Sequence, residues 1–104
     1  MDDFFRGREE VEKAAAIMKA LGHPQRLGIA RGLARCGGCN VKKIQENTGI
    51  PQSTISQHLD RLKNAGLITG ERRGNEVIYR LIDPRVKTIL QCFFAEEYPE
   101  QEDR

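Results

Sequence analysis

The stretch NVKKIQENTGIPQSTISQHLDRLKNAG, residues 40–66, decides the fold. Asn40 is a favourable N-cap for a short helix, which ends before the compact turn around Gly49. A second helix begins at once, at Gln52 or the residue after it, and stops at Gly66. Because a tight glycine-containing turn joins the two helices, the stretch predicts a helix-turn-helix.

Two further helices are predicted upstream of this motif. Apolar residues recur at three- and four-residue steps over about 8–20, which is typical of an amphipathic helix, and Gly22 ends the run. Pro24 suits the first position of the next helix, whose apolar spacing continues to the glycine pair 37–38. A pair of helices therefore precedes the motif.

A β-hairpin and a last helix are predicted downstream. The runs 67–69 and 77–81, rich in β-branched and aromatic residues, flank the charged tip ERRGN at 71–75. Asp83 and Pro84 then start a helix that carries an apolar stripe. The predicted fold class is therefore mainly α with a β-hairpin: a winged helix-turn-helix of four helices, two strands and one helix in that order.

Length and composition indicate one small domain. The 104 residues fit a single compact domain, which we expect to span 1–97, followed by a disordered acidic tail at 98–104. An apolar content of 38% and the absence of Trp indicate a modest core. Helices at the two ends would gain stability by packing against another subunit, so we expect an oligomer.

Neither a membrane span nor an enzyme motif is visible. No run of about 18 apolar residues occurs, and the N-terminus lacks the basic and then apolar order of a secretion signal. We therefore expect a cytoplasmic protein with no membrane partner. The sequence also shows no nucleophile–base pair, paired acidic motif or phosphate-cradling glycine loop, so we expect no enzymatic activity.

Charge is distributed unevenly along the chain. The formal net charge of +2 is weak support for a nucleic-acid partner, but seven cations and four anions lie between Asn40 and Arg80. The segment 96–103, in contrast, carries five acids and no base. The middle of the chain is therefore the predicted phosphate-facing part.

The second helix of the motif presents a free polar face. Ile55, Leu59 and Leu62 share one side of it, while Ser and Gln side chains point elsewhere. Such short donor–acceptor groups suit base edges in a major groove, and a basic hairpin tip suits the backbone or minor groove. On an isolated helix this face would more often be merely solvated. The helix-turn-helix and the wing that follows it favour double-stranded DNA as the partner.

Four segments resemble the ArsR/SmtB family of winged-helix repressors. They are ALGHPQRL (20–27), IPQSTISQHL (50–59), LKNAGLI (62–68) and RRGNEVIYRL (72–81). The resemblance covers roughly residues 14–94. It implies a sequence-specific transcriptional repressor that dimerises through its first and last helices and binds an inverted-repeat operator.

The resemblance also assigns DNA contacts. It implies that the residues matching Gln52, Ser53, Ser56 and Gln57 approach the operator. Neighbouring polar and basic residues of the motif and the wing complete the set. The predicted DNA-binding residues are Lys42, Gln52, Ser53, Thr54, Ser56, Gln57, Arg61, Arg72, Arg73 and Asn75.

The two histidines are given structural roles. His58 falls beside the apolar side of its helix, so we predict a packed, hydrogen-bonded side chain rather than a base contact. His23 directly precedes Pro24 and is predicted to start a helix rather than to act as a ligand or catalytic base.

Known inducer sites of the family match this chain poorly. Arsenic- and cadmium-type sensors carry Cys-x-Cys in the third helix, where this chain reads CNVK (39–42). Zinc-type sensors use acidic and histidine ligands along the last helix, but the comparable positions here hold Asp83, Arg85 and Glu96, with no histidine. Neither metal site is therefore expected in its usual form.

Three cysteines are the remaining sensor candidates. Cys36 and Cys39 form a Cys-x-x-Cys pair that can hold a thiophilic metal or close as a redox disulfide. Some relatives sense persulfides or oxidants with one cysteine in the second helix and one in the last, and pairing either residue with Cys92 is similar, at shifted positions. Three hypotheses stay open: passive thiols, thiol or redox sensing, and binding of arsenite or a soft metal. No other cofactor is required.

A winged-helix module used for protein contact is the alternative from another class. A winged-helix fold does not dictate function, so DNA binding does not follow from the fold alone. The polar recognition face and the basic wing tip argue against a pure protein-contact role.

Overall fold

The computed structural model describes residues 3–100, and among them it contains five helices and one two-stranded antiparallel sheet. This architecture confirms the predicted winged helix-turn-helix fold. In chain order the elements are α1 (Arg8–Leu21), α2 (Pro24–Cys36), α3 (Val41–Thr48), α4 (Gln52–Asn64), β1 (Ile68–Arg73), β2 (Glu76–Leu81) and α5 (Pro84–Phe94).

Polar side chains cap three of the helices where the sequence predicts a helix start. The Asn40 side chain accepts a hydrogen bond from the Lys43 amide at 2.8 Å, which satisfies a free N–H in the first turn of α3. Asp83 caps α5 in the same way, with its Oδ1 atom 2.8 Å from the Arg85 amide. The Nδ1 atom of His23 accepts from the α2 amide of residue 25 at 3.1 Å, which confirms its predicted role as a helix-start residue.

The core lies between the apolar faces of α2 and α4, with α5 and the base of the hairpin closing it. Its largest fully buried side chains are Leu33, Ile55, Leu59, Leu62, Leu67, Val86 and Leu90. Each such side chain contributes about 1.5–3 kcal/mol through its removal from water. The apolar side of α4 is thus fixed in the core, and its other side is left to solvent.

The hairpin forms the wing and is extended by one further backbone contact. Its register runs from Ile68 opposite Leu81 to Arg73 opposite Glu76, and a two-residue turn with Gly74 at a φ of 64° closes it. On the other edge of β2, residue 39 forms an isolated antiparallel bridge to residue 79. The wing is therefore joined to the segment between α2 and α3.

The chain after α5 folds back onto α2. Glu96 accepts hydrogen bonds from Arg31 at 2.9 and 2.7 Å, and the hydroxyl of Tyr98 donates to Glu96 at 2.8 Å. Tyr98 is only 7% exposed, so the segment 98–104 is packed at its first residue rather than starting there as a free tail. The rest of that tail remains a prediction, and residues 101–104 lie outside the described part of the chain.

In the described range 3–100, no helix is both long enough and apolar enough to cross a membrane.

Candidate nucleic-acid interface

Helix α4 turns its polar side to solvent. The side chains of Ile55, Leu59 and Leu62 are at most 1% exposed, so the orientation of the helix is fixed by the core. The predicted contact residues fall on the accessible side: Gln52, Ser53, Ser56, Gln57 and Arg61 are exposed, and Thr54 is half-buried. The structure therefore gathers the predicted base-reading residues on one accessible surface.

A partly buried polar network joins α4 to α2. The Nε2 atom of His58 lies 2.8 Å from the Oε1 atom of Gln25, and its Nδ1 atom lies 3.4 Å from a guanidinium nitrogen of Arg26. Since an arginine can only donate, this arrangement fits a neutral imidazole that donates from Nε2 and accepts at Nδ1. His58 is 7% exposed, which confirms the prediction of a packed, hydrogen-bonded histidine.

The protonation of His58 is set by this environment. Burial lowers its pKa from the ordinary value of 6.5, and the neighbouring cationic side chains lower the pKa further. Arg26, one of those cations, also donates to the Ala20 carbonyl at 2.7 Å and so joins the end of α1 to the same network. Helix α4 thus packs on a polar junction that involves three helices.

The wing tip is exposed and basic. Arg72, Arg73 and Asn75 are all exposed. Arg73 lies 3.3 Å from Glu71, whereas Arg72 forms no ion pair with any residue in the range 3–100. The tip therefore offers a charged surface beyond the end of the sheet, as the sequence predicts.

Arg80 departs from the expected phosphate-facing set. The sequence counts it among the cations of the middle segment, but its side chain is only 8% exposed and pairs with Glu71 at 2.8 Å. The hydrogen bond from Arg80, with a second from Arg73, lowers the pKa of the Glu71 carboxyl. Arg80 therefore stabilises the base of the wing and is not available to a phosphate.

Residues around α3 connect the helix-turn-helix to the wing. Lys42 is exposed in the first turn of α3, where the sequence predicts a phosphate contact. Asn40, which caps the same helix, also donates from its side-chain amide to Glu76 at the start of β2. No sequence signal indicated this contact, because the two residues are 36 positions apart.

The three cysteines are not gathered into one site. Cys36 and Cys39 are joined by a disulfide, with their Cα atoms 6.6 Å apart, and Cys92 is free and exposed on α5. Within residues 3–100, no group of three or more His, Cys, Asp or Glu side chains is placed to hold a metal ion. A three-thiolate site within one chain is therefore not formed.

Comparison with known proteins agrees with this geometry. The family model described as "Bacterial regulatory protein, arsR family" matches residues 23–69. An uncharacterized HTH-type transcriptional regulator of Methanocaldococcus jannaschii is 45% identical over 80% of this chain and 93% of its own length. The chain belongs to the arsR family. Membership in the arsR family makes it a DNA-binding transcription regulator and not an enzyme.

The named relatives of this chain include transcriptional repressors. The transcriptional repressor PagR of Bacillus anthracis is 33% identical over 78% of this chain and 81% of its own length. The repressor SmtB of Mycobacterium tuberculosis is 40% identical over 80% of this chain, which spans 61% of that protein. The chain is thus similar to proteins that are named as transcriptional repressors.

The solved structures of HlyU and PagR share the fold of this chain. Reduced HlyU from Vibrio cholerae superposes with a TM-score of 0.79 at 25% identity, covering 89% of this chain and all of that one. The PagR crystal structure gives a TM-score of 0.76 at 32% identity, covering 82% of this chain and 97% of that one. The helix-turn-helix and wing described above are therefore those of a known group of regulators.

Proposed function

We propose that this arsR-family protein acts as a homodimer that places two copies of α4 in successive major grooves of an inverted-repeat operator and blocks transcription. The observation that supports it most directly is that the polar face of α4 and the basic wing tip are both exposed. A protein with this role is located in the cytoplasm of a bacterial or archaeal cell, because the chromosome lies there.

Two kinds of DNA contact follow from the chemistry of this surface. Ser53, Ser56 and Gln57 carry short donor–acceptor groups suited to base edges, while cations position the protein on the phosphates without reading sequence. The N-terminus of α4 adds amides that favour a nearby phosphate. The proposed phosphate contacts are Lys42, Arg61, Arg72 and Arg73, the proposed wing-tip contact is Asn75, and Gln52 and Thr54 complete the proposed surface of α4.

The homodimer is proposed through α1 and α5, as the family resemblance implies. Large apolar side chains on these helices face solvent in the single chain: Met18 is 65% exposed and Phe93 is 79% exposed. Exposed apolar surface of this kind is typical of protein–protein interfaces. A second copy that covers these side chains would remove them from water.

The signal that controls operator binding is proposed to act on the cysteines. The disulfide between Cys36 and Cys39 supports a two-cysteine response, and Cys92 has no sulfur partner within residues 3–100. Two thiolates can also hold a thiophilic metal, so a repressor that responds to arsenite or a soft metal is the alternative, with no cofactor required otherwise.

The test is a binding measurement on DNA from upstream of the protein's own coding region. Fluorescence anisotropy of a labelled duplex should show saturable binding, with affinity that falls steeply as salt concentration rises. A duplex of scrambled sequence and equal length is the control for specificity. Retention of a protein partner without any DNA binding in either redox state would favour the protein-contact alternative and refute this proposal.

A further inference from the structure

The segment that carries the cysteine pair is a two-glycine hinge. Cys36 is the last residue of α2, and Cys39 directly precedes the Asn40 cap of α3. Between them, Gly37 has a φ of 74° and Gly38 a φ of 144°, values that residues with a side chain rarely adopt. Because glycines sample many backbone conformations, this hinge is held in one shape only by what it contacts.

Its main contact is with the wing. The Cys39 amide donates to the Tyr79 carbonyl at 3.0 Å, and the Tyr79 amide donates back to the Cys39 carbonyl at 2.8 Å. Gly38 lies so close to β2 that a Cβ atom there would sit 3.2 Å from Ile78. The hinge therefore acts as a short third strand along the free edge of β2.

The same hinge also leads into the helix-turn-helix. Asn40 caps α3 and contacts Glu76, the first residue of β2. A change in the shape of residues 37–39 would therefore act on the start of α3 and on the wing together. These two elements carry four of the proposed DNA contacts, namely Lys42, Arg72, Arg73 and Asn75.

We propose that Cys36 and Cys39 form a reversible switch in which closing the disulfide strengthens operator binding by fixing the wing and α3. This proposal rests on the function proposed above. The disulfide restrains the two glycines in the conformation that pairs Cys39 with Tyr79, so less conformational freedom is lost when the wing settles on DNA. Removing the freedom of one or two glycines predicts about threefold to tenfold tighter binding.

A hydroperoxide is the oxidant in the proposed formation of the Cys36–Cys39 disulfide. The thiolate of Cys36, which is exposed, attacks the peroxide oxygen, breaks the O–O bond and releases an alcohol, or water from hydrogen peroxide, leaving a sulfenic acid. The thiolate of the buried Cys39 then attacks the Cys36 sulfur and displaces water. Two thiols lose two electrons and two protons, and a thiol reductant restores them by disulfide exchange.

The test compares oxidised and reduced full-length protein on the upstream duplex, with a chelator present. Thiol alkylation and mass spectrometry verify each redox state. We expect the oxidised form of the wild type and of Cys92→Ser to bind about threefold to tenfold tighter than the reduced form. In Cys36→Ser and Cys39→Ser, peroxide treatment should leave the affinity unchanged.

Amide exchange provides a second measurement that needs no variant. The Tyr79 amide, hydrogen-bonded to the Cys39 carbonyl, should exchange more slowly in the oxidised protein, while an amide in the middle of α2 should show a smaller change. Equal exchange rates at residue 79 in the two states would overturn the proposed route even if the serine variants fold poorly.

The outcomes separate this proposal from the function it rests on. Equal affinity of the two redox forms, or tighter binding by the reduced form, overturns the switch and leaves the repressor intact. Specific binding by neither form refutes the repressor and the switch with it. A redox-insensitive protein that releases DNA when a trivalent arsenical is added to its thiols also overturns the switch and favours the soft-metal alternative.

Discussion

Two exposed surfaces of the chain differ in chemistry. The surface of α4 and the wing tip carries short polar and basic groups, such as Gln57 and Arg72. The surface of α1 and α5 carries large apolar groups, such as Met18 and Phe93. Water solvates the first surface well and the second poorly, so the first suits a charged partner and the second a second copy of the chain. Exposure alone thus does not indicate which partner a surface binds.

The largest expected effect comes from placing a charge on the apolar surface. Phe93→Glu should dissociate the proposed homodimer, because burying an unpaired carboxylate against an apolar partner is unfavourable. Operator affinity should then fall by about a hundredfold or more, since the two recognition helices no longer bind as one unit. Sedimentation velocity and anisotropy measure the two effects.

Gln91→Glu is the matched control for that variant. Gln91 is exposed on the same helix, so the substitution adds the same charge without replacing a large apolar group. It should leave the dimer intact. A Phe93→Glu protein that remains dimeric would refute the proposal that the apolar surface forms the dimer interface.

The next effect tests the polar surface through its charge. Arg72→Ala combined with Arg73→Ala should weaken binding about tenfold on any DNA sequence. The slope of log affinity against log salt should fall by about four, because the proposed homodimer loses two arginines from each subunit. Anisotropy titrations at several salt concentrations measure both quantities. The paired control, Arg85→Ala with Lys87→Ala, removes the same charge from α5 and should leave the slope unchanged.

A smaller effect distinguishes base contacts from phosphate contacts within the polar surface. Gln57→Ala should reduce discrimination at one operator base pair by about 1 kcal/mol, the lower end of the range for side-chain contacts to base edges. Competition between operator duplexes that differ at single positions measures this loss. The control is Gln45→Ala, which changes an exposed glutamine on α3 and should leave the affinity ranking of those duplexes unchanged. If Gln57→Ala also leaves the ranking unchanged, Gln57 does not contribute to base recognition by α4.

The smallest effect concerns the junction beneath α4. The folded protein holds the pKa of His58 below 6.5, so below that pH the unfolded chain takes up a proton that the folded chain does not. The free energy of unfolding should therefore decrease as pH falls from 7 through 6.5 and below. Denaturant unfolding at a series of pH values measures this.

His58→Gln should flatten that decrease, because glutamine keeps polar atoms at the junction but does not titrate. The titratable and charged side chains whose interaction with His58 lowers its pKa are His23, Arg26 and Arg61. The control His23→Asn keeps a capping side chain and should retain most of the decrease. An equal slope in wild type and His58→Gln would assign the acid sensitivity to other groups.

Local sequence signals predicted most of the fold and the accessible side of the site. Helix starts at Asn40 and Asp83 are encoded by a side chain that bonds an amide two or three residues later, so the information is local. The orientation of α4 follows from the spacing of its apolar residues, which the core then buries. Position, charge and apolar spacing were therefore enough to locate the candidate surface.

Contacts between distant positions were not predictable in this way. Arg31 and Glu96 are 65 residues apart, and no periodic pattern relates them. The bridge between Cys39 and Tyr79 involves one residue on each side, which is too short to give a strand pattern. The sequence groups Arg80 with the other cations of the middle segment, whereas the folded chain buries it against Glu71. Each case depends on tertiary packing, which a single sequence does not display.

The return of the chain onto α2 has a practical consequence for protein engineering. Arg31 packs over the ring of Phe94 at 4.2 Å and binds the carboxylate of Glu96, whose pKa this pairing, together with the Tyr98 hydroxyl, lowers to about 2. A reporter domain or affinity tag that replaces the chain after α5 would remove the Glu96 carboxylate. Arg31 would then lose its ion-pair partner. The permissive fusion point lies beyond Tyr98.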